Sequence, residues 1–218
     1  MIHLKRKYLM RFLVLLLIFA LWTASVCFLD VASIGPNESS VGFSSLNSFF
    51  YRLTGVNWKL YVLTDWLSLL PVGLVAVFGL FGLTQWIKRK NILKVDGSIL
   101  ALGGFYVAVM GVFLLFEKIV VNYRPVLIGG VLEASYPSST TMLVMCVMLT
   151  TILQIMERLR CGILRRCLVA VIVMYTAFMV IARLISGVHW LTDIVGGLIL
   201  SVSLVNAYQF ACVILNTK

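Results

Sequence analysis

Long apolar runs separated by short polar or basic segments dominate the chain. The runs cover residues 12–29, 60–87, 98–116, 138–156, 163–182 and 190–215. Each is close to the length of about 20 residues that an α-helix needs to cross the hydrocarbon core of a bilayer. The pattern therefore predicts an all-α, polytopic membrane protein in which residues 1–218 form one domain, a bundle of six transmembrane helices. Within the longest polar interval, residues 30–59, we expect a short interfacial helix over residues 44–53.

The composition agrees with this class and excludes a soluble domain. Hydrophobic residues make up 61% of the chain and charged residues 12%, whereas soluble domains average about 45–50% and about 25%. The first apolar run is longer than the roughly 7–15 residues of a signal-peptide core and is not followed by a good cleavage site. We therefore expect it to be retained as the first helix.

The net charge of +10 is distributed unevenly along the chain. Six spans place both termini on the same side of the membrane. Thirteen of the 18 lysines and arginines lie on that side, and five lie on the other side. Because cytoplasmic loops are enriched in Lys and Arg, we expect both termini in the cytoplasm and the opposite loops outside a plasma membrane. Because the basic residues cluster between apolar runs, we expect the bilayer and its anionic headgroups as partners. We do not expect the protein to bind nucleic acid.

The five cysteines show no pattern of a disulfide framework or of a metal site. Cys27, Cys146 and Cys212 lie within apolar runs, Cys161 lies in the basic segment 157–166, and Cys167 directly follows that segment. No CxxC pair is present, and no cysteine has metal-ligand spacing with a histidine.

Three polar segments lie at the ends of spans on the predicted outer face. They are residues 117–125, with Glu117, Lys118 and Arg124; residues 136–141, with Ser138, Ser139 and Thr140; and residues 182–193, with Arg183, His189 and Asp193. Ionisable residues at membrane depth are costly and indicate a functional site. Lys118, Arg124 and Arg183 together can bind and neutralise a phosphate group.

The spacing of His189 and Asp193 also indicates chemistry. Four residues apart on a helix, they share one face, so the carboxylate can orient the imidazole as a nucleophile or general base. Pro137 and the hydroxyl residues after it suit a helix start, whose free N–H groups bind anions. Structural alternatives stay open: a helix-start pair for His189 and Asp193, interfacial anchors for Arg124 and Lys118, and a helix cap for residues 138–141.

These segments resemble the motifs of the type-2 phosphatidic acid phosphatase superfamily, whose integral-membrane members have six helices. The family motifs are K-x6-R-P, P-S-G-H and S-R-x5-H-x3-D, and the resemblance covers residues 117–197. Arg124-Pro125 matches the first motif and Pro137-Ser138 the second, while Arg183, His189 and Asp193 match the third with its full spacing.

The resemblance implies a reaction through a phosphohistidine. His189 would attack phosphorus and Asp193 would orient its ring. Arg124, Arg183 and Lys118 would stabilise the charge on pentacoordinate phosphorus, before water hydrolyses the phosphoenzyme. This family needs no metal, so the resemblance implies no cofactor.

Two departures concern the basic motifs. Counting back from Arg124, the position of the family lysine is Glu117, and the lysine itself is Lys118. A shift of one residue turns a helical side chain by about 100°, so Lys118 reaches the site only if the helix has already ended there. Ala182 replaces the serine that precedes the arginine of the third motif.

The third departure is Thr140, which replaces the second-motif histidine. In the family that histidine protonates the leaving group, and the only other histidine, His3, is predicted to lie on the opposite side of the membrane. Glu117 and Glu133 are possible proton donors in its place. An alkoxide, whose conjugate acid is a very weak acid, needs a proton to leave, whereas a phosphate, with a second pKa of about 6, departs with little help. We therefore expect a lipid phosphate or diphosphate phosphohydrolase that prefers a polyprenyl diphosphate.

Other functions remain open at this stage. The chain could be a phosphatidate or phosphatidylglycerophosphate phosphatase, or a phosphotransferase that passes phosphate from His189 to another lipid. It could also be a catalytically silent member that binds phospholipid, although such a protein has no need of the nucleophile. Inverted repeats and midplane charges, which would indicate a transporter, are absent from the sequence. The expected partner is in each case a phosphorylated lipid, and the oligomeric state is left open.

Overall fold

A computed structural model describes residues 2–215, which fold into eight α-helices and the segments that connect them. The helices are α1 (Ile2–Phe28), α2 (Ser44–Thr54), α3 (Trp58–Leu67), α4 (Leu69–Arg89), α5 (Gly97–Lys118), α6 (Ser139–Arg158), α7 (Gly162–Ile185) and α8 (Leu191–Leu215). Six helical segments are long and apolar enough to cross a membrane, with α3 and α4 counted as one. The predicted all-α class with six membrane-spanning helices is confirmed, as is the short α2. The location of the termini stays a prediction, and Lys218 lies outside the described residues.

The first helix is longer than its apolar run. α1 begins at Ile2, well before the predicted start at residue 12, and includes Lys5, Lys7 and Arg11. Lysine and arginine are good helix formers, and residues 2–11 contain neither proline nor glycine. The apolar run thus marks the part of α1 that suits the membrane rather than the ends of the helix.

The second span is interrupted near its start. α3 ends at Leu67 and α4 begins at Leu69, just before Pro71. A proline has no N–H to donate four residues back, so the carbonyl of Leu67 receives no helical hydrogen bond from position 71. The hydroxyl of Tyr175 on α7 donates to that carbonyl at 2.8 Å. The freed acceptor is therefore satisfied inside the bundle, as a membrane-spanning helix requires.

The last helix is the centre of the bundle. α8 packs against α1, α2, α5, α6 and α7. Its buried side chains join an apolar core that includes Phe19 of α1, Phe105 of α5 and Met142 of α6. The indole of Trp22 on α1 donates to the carbonyl of Thr192 at 3.2 Å. The first turn of α8, which contains Asp193, is thus held from several directions.

The paired glycines of α8 allow the chain before α6 to lie directly on this helix. A Cβ at Gly196 would lie 2.6 Å from the ring of Tyr136, and a Cβ at Gly197 would lie 3.2 Å from the carbonyl oxygen of Ser138. These two glycines therefore form a packing surface. By contrast, a Cβ at Gly103, Gly104 or Gly111 would meet no atom within 4 Å.

We predict that Gly196→Ala destabilises the protein by about 1–3 kcal/mol, the usual cost of overpacking a core. The ring of Tyr136 cannot move aside easily, because it stacks on Phe19 and its hydroxyl lies 2.7 Å from Thr23 Oγ1. Thermal unfolding in detergent, followed by tryptophan fluorescence, measures the effect. Gly104→Ala is the matched control and should be neutral or slightly stabilising. Equal midpoints for the two variants would contradict the close packing.

Candidate functional site

A hairpin between α5 and α6 carries several of the candidate residues. The N–H of Ser135 donates to the carbonyl of Asn122 at 2.9 Å, and that of Arg124 to the carbonyl of Glu133 at 3.1 Å. At the tip, Gly129 and Gly130 both have positive φ, the backbone geometry that tight hairpin turns require. The pairing fixes the positions of Asn122, Arg124, Glu133 and Ser135 relative to one another.

A sharp turn after α7 positions His189. Gly187 has φ of +67°, and a Cβ at this position would lie 1.8 Å from the carbonyl oxygen of Gly55. Only glycine fits this combination of a left-handed conformation and close backbone contact. The N–H of Asn57 donates to the carbonyl of Ser186 at 3.0 Å. The connection between α2 and α3 therefore packs against the turn that leads from Arg183 to His189.

His189 and Asp193 are both buried, and a serine lies between them. The hydroxyl oxygen of Ser135 lies 2.9 Å from His189 Nδ1 and donates to Asp193 Oδ2 at 2.5 Å. The direct distance between His189 Nδ1 and Asp193 Oδ2 is 3.8 Å, too long for a hydrogen bond. The predicted pair is thus brought together through Ser135, a residue that the sequence analysis did not select.

The other ring nitrogen of His189 faces an arginine. Arg124 Nη1 lies 3.1 Å from His189 Nε2. Because a guanidinium only donates, Nε2 accepts this bond and carries a lone pair. Burial, followed by the positive charges of Arg124 and Arg183, holds the pKa of His189 well below its usual range. The imidazole is therefore neutral, as a nucleophile must be.

Asp193 is fully buried and accepts several hydrogen bonds. Oδ2 accepts from the N–H of Trp190 at 2.9 Å as well as from Ser135, and Oδ1 accepts from Asn122 Nδ2 at 3.2 Å. The hydrogen bond from the N–H of Trp190 to Asp193 closes the first turn of α8. In a capping box, an acidic side chain three residues after the helix cap accepts the same kind of bond. The structural and the functional interpretation of Asp193 are therefore compatible.

Arg183 lies deep in the protein, with 2% of its side chain exposed. Its Nη1 donates to Thr64 Oγ1 at 3.1 Å and lies 3.6 Å from Asp65 Oδ1, and its guanidinium stands 4.8 Å from the ring centre of Tyr61. Its Nε is buried and has no hydrogen-bond partner among residues 2–215. The side chain is thus held by α3, and its Nε–H donor is still free.

The two candidate proton donors and Lys118 lie around this cluster in different ways. Glu133 Oε2 is 3.0 Å from Arg124 Nε, while Glu117 lines a small crevice beside Ser135 and Ser139. α5 extends through Lys118, so the condition for Lys118 to turn toward the site is not met. Its exposed side chain makes no hydrogen bond or ion pair with another described residue.

The start of α6 lies beside the same cluster. Ser138 precedes the helix, its Oγ accepts weakly from the N–H of Thr141 at 3.4 Å, and its own N–H donates to the carbonyl of Asp193 at 3.0 Å. Ser139 and Thr140 form the half-buried first turn. The structural alternative, a helix cap by Ser138, is therefore confirmed. Within residues 2–215, no group of three or more His, Cys, Asp or Glu side chains is arranged to hold a metal ion.

Comparison with known families identifies the chain. A sequence profile of the PAP2 superfamily matches residues 104–212, half of the chain. The protein belongs to the PAP2 superfamily. The matched region contains the 122–135 hairpin, the start of α6, and the Arg183, His189 and Asp193 motif.

A solved structure of a PAP2 protein has the same fold. The crystal structure described as the first transmembrane PAP2 type phosphatidylglycerolphosphate phosphatase, from Bacillus subtilis, superposes with a TM-score of 0.60. The two chains are 18% identical, over 95% of this chain and 94% of the other. At this identity the similarity extends to the fold alone. A comparison with curated proteins finds no match.

We predict that His189 stays neutral at pH values well below 6.5 and that Arg124→Gln raises its pKa. Removing the guanidinium removes a positive charge that disfavours the imidazolium. Because the chain has two histidines, ¹⁵N-histidine NMR of a His3→Ala background reports His189 alone. Lys118→Gln removes an equal charge from an exposed position and should leave the titration unchanged. A midpoint near 6.5 in the protein with Arg124 intact would contradict the assignment.

Proposed function

We propose that this PAP2 protein is a lipid phosphate or diphosphate phosphohydrolase that works through a phosphohistidine on His189. The supporting observation is the buried, neutral imidazole whose Nε2 lone pair lies 3.1 Å from Arg124 Nη1. A bound phosphoryl group would replace this contact: its oxygens would accept from Arg124, and its phosphorus would face the released lone pair of Nε2. Nε2 then forms a bond to phosphorus while the bond to the leaving oxygen breaks. In a second step water attacks phosphorus, the bond from phosphorus to Nε2 breaks, and phosphate leaves with the protons of the water while His189 is regenerated.

Arg124 and Arg183 would bind the phosphate. Both are buried, and their charges are only partly offset, by Glu133 at 3.0 Å and by Asp65 at 3.6 Å. A buried cation with a free donor, as on Arg183, favours an anionic ligand. The N–H groups of Ser139 and Thr140 at the start of α6 would add donors to the phosphate oxygens. Such preorganised donors stabilise the charge that develops in the transition state.

The lipid tail would lie beside α6. A cavity of about 310 Å³ lies between α4, α5 and α6. Val75, Val109 and Val147 are among the residues that line its apolar part, and Ser139 and Thr140 line its hydroxyl-bearing end. The apolar part suits a hydrocarbon chain, and the hydroxyl end suits a headgroup. This arrangement supports a substrate that remains in the membrane during the reaction.

The missing histidine supports a diphosphate as the preferred substrate. Thr140 cannot act as an acid near neutral pH, so a leaving group that needs no proton is favoured. Polyprenyl diphosphate meets this condition. Glu117 and Glu133 are the proposed proton donors for a substrate that does need one. The phosphatase named for the Bacillus subtilis structure supports a second candidate, hydrolysis of phosphatidylglycerophosphate.

The proposed orientation places the reaction outside the cytoplasm, at a plasma membrane. The connections that hold the site, residues 119–138 and 186–190, lie at the opposite ends of the spans from the basic connection between α4 and α5. The excess of Lys and Arg on the basic side supports a cytoplasmic location for that side.

We expect purified protein to release phosphate from a polyprenyl diphosphate faster than from phosphatidate or phosphatidylglycerophosphate. His189→Ala should reduce turnover of every substrate by roughly 10⁴-fold or more, because it removes the nucleophile. His3→Ala replaces the other histidine and should retain full turnover. Phosphate release that survives His189→Ala would contradict the mechanism, and faster release from phosphatidate would contradict the diphosphate preference.

The same set of substrates tests whether Glu117 or Glu133 acts as the proton donor. If Glu117 or Glu133 protonates the leaving group, its replacement by Gln slows the monophosphates more than the diphosphate, since only an alkoxide needs the proton. A loss that is equal for all substrates would instead indicate a role in binding, as expected for Glu133 through its ion pair with Arg124.

A further inference from the structure

Among residues 2–215, Ser135 is the one side chain placed within hydrogen-bond distance of both His189 and Asp193. Its Oγ lies 2.9 Å from His189 Nδ1 and 2.5 Å from Asp193 Oδ2. The imidazole and the carboxylate are 3.8 Å apart at their nearest nitrogen and oxygen. That separation excludes a direct hydrogen bond, so the hydroxyl is the link between them.

The direction of the two hydrogen bonds follows from the number of protons. A serine hydroxyl has one proton to donate and can accept from a second group. The carboxylate of Asp193 accepts only, so the proton of Ser135 points to Asp193. The remaining lone pair of Ser135 then accepts from His189, which places a hydrogen on Nδ1.

A separate contact gives the same assignment. Arg124 Nη1 lies 3.1 Å from His189 Nε2 and can only donate. Nε2 must therefore be the unprotonated nitrogen. Ser135 on one side of the ring and Arg124 on the other select one tautomer.

Ser135 is itself held rigidly enough to fix the ring. It is 3% exposed, and its N–H donates to the carbonyl of Asn122 at 2.9 Å across the hairpin. The side chain of Asn122 donates to Asp193 Oδ1 at 3.2 Å. The hairpin thus contacts both carboxylate oxygens, and a rotation of Asp193 toward His189 would break these bonds.

We propose that Ser135 is a positioning residue that couples His189 to Asp193 and keeps Nε2 free to attack phosphorus. This role rests on the proposed function of His189. As the bond from Nε2 to phosphorus forms, positive charge develops on the ring while the hydrogen stays on Nδ1. The chain from Nδ1 through the Ser135 hydroxyl to Asp193 stabilises that charge. No net proton moves, and the electrons of the broken bond leave with the departing oxygen.

The test compares Ser135→Ala with Ser135→Thr, which retains a hydroxyl, and with Ser201→Ala. Ser201 is equally buried, but its hydroxyl donates to the carbonyl of Gly197 within α8. ¹⁵N-histidine NMR in the His3→Ala background measures the tautomer, and phosphate release measures kcat and KM. We expect Ser135→Ala to lose the pure Nδ1–H tautomer and to lower kcat on the order of 10²-fold, with a smaller change in KM. Ser135→Thr should recover the tautomer and part of kcat, and Ser201→Ala should match the parent protein.

Several results would overturn the proposal. An Nε2–H tautomer in the parent protein would do so without any variant. So would an unchanged tautomer in Ser135→Ala, or a loss of kcat in Ser201→Ala as large as that in Ser135→Ala. The tautomer is measured without substrate, so a change in Ser135→Ala supports the coupling even if no lipid phosphate is hydrolysed. In that case the proposed function alone would fail.

Discussion

The buried carboxylate of Asp193 is the group on which both the bundle and the candidate site depend. A carboxylate without water must be surrounded by donors, or it destabilises the fold by several kcal/mol. Here the donors come from Ser135 and Asn122 of the hairpin and from the backbone of Trp190. Satisfying this one charge therefore fixes the hairpin against the first turn of α8.

The second constraint is an excess of buried positive charge next to His189. Arg124 and Arg183 both act on the imidazole, while their acidic partners, Glu133 and Asp65, are 41% and 56% exposed. Cations that are already oriented and desolvated need little rearrangement to receive an anion. Burial, together with these same charges, keeps His189 neutral, so one arrangement serves both phosphate binding and nucleophilicity.

The sequence predicts the bundle and the core of the site because both follow from strong local patterns. Apolar runs define the spans, and the spacing of four residues keeps His189 and Asp193 close together, although His189 lies in the turn just before α8 rather than on a helix with Asp193. Ser135 and Asn122 could not be predicted in this way, since each acts through a contact distant in sequence and serines and asparagines are common in loops. The contact of Asp65 with Arg183 could not be predicted either, because nothing in the order of residues places α3 beside Arg183. Lys118 was expected in the phosphate site, but the extent of α5 leaves it exposed.

The central claim is a covalent bond between His189 and phosphorus, and the stereochemistry of the reaction tests it most directly. The substrate is a lipid diphosphate whose terminal thiophosphoryl group is made chiral with oxygen isotopes and is hydrolysed in isotopically labelled water. Attack by His189 followed by attack by water inverts phosphorus twice, so we expect net retention of configuration in the released thiophosphate. Net inversion would mean that water attacks the lipid directly, and would contradict the phosphohistidine.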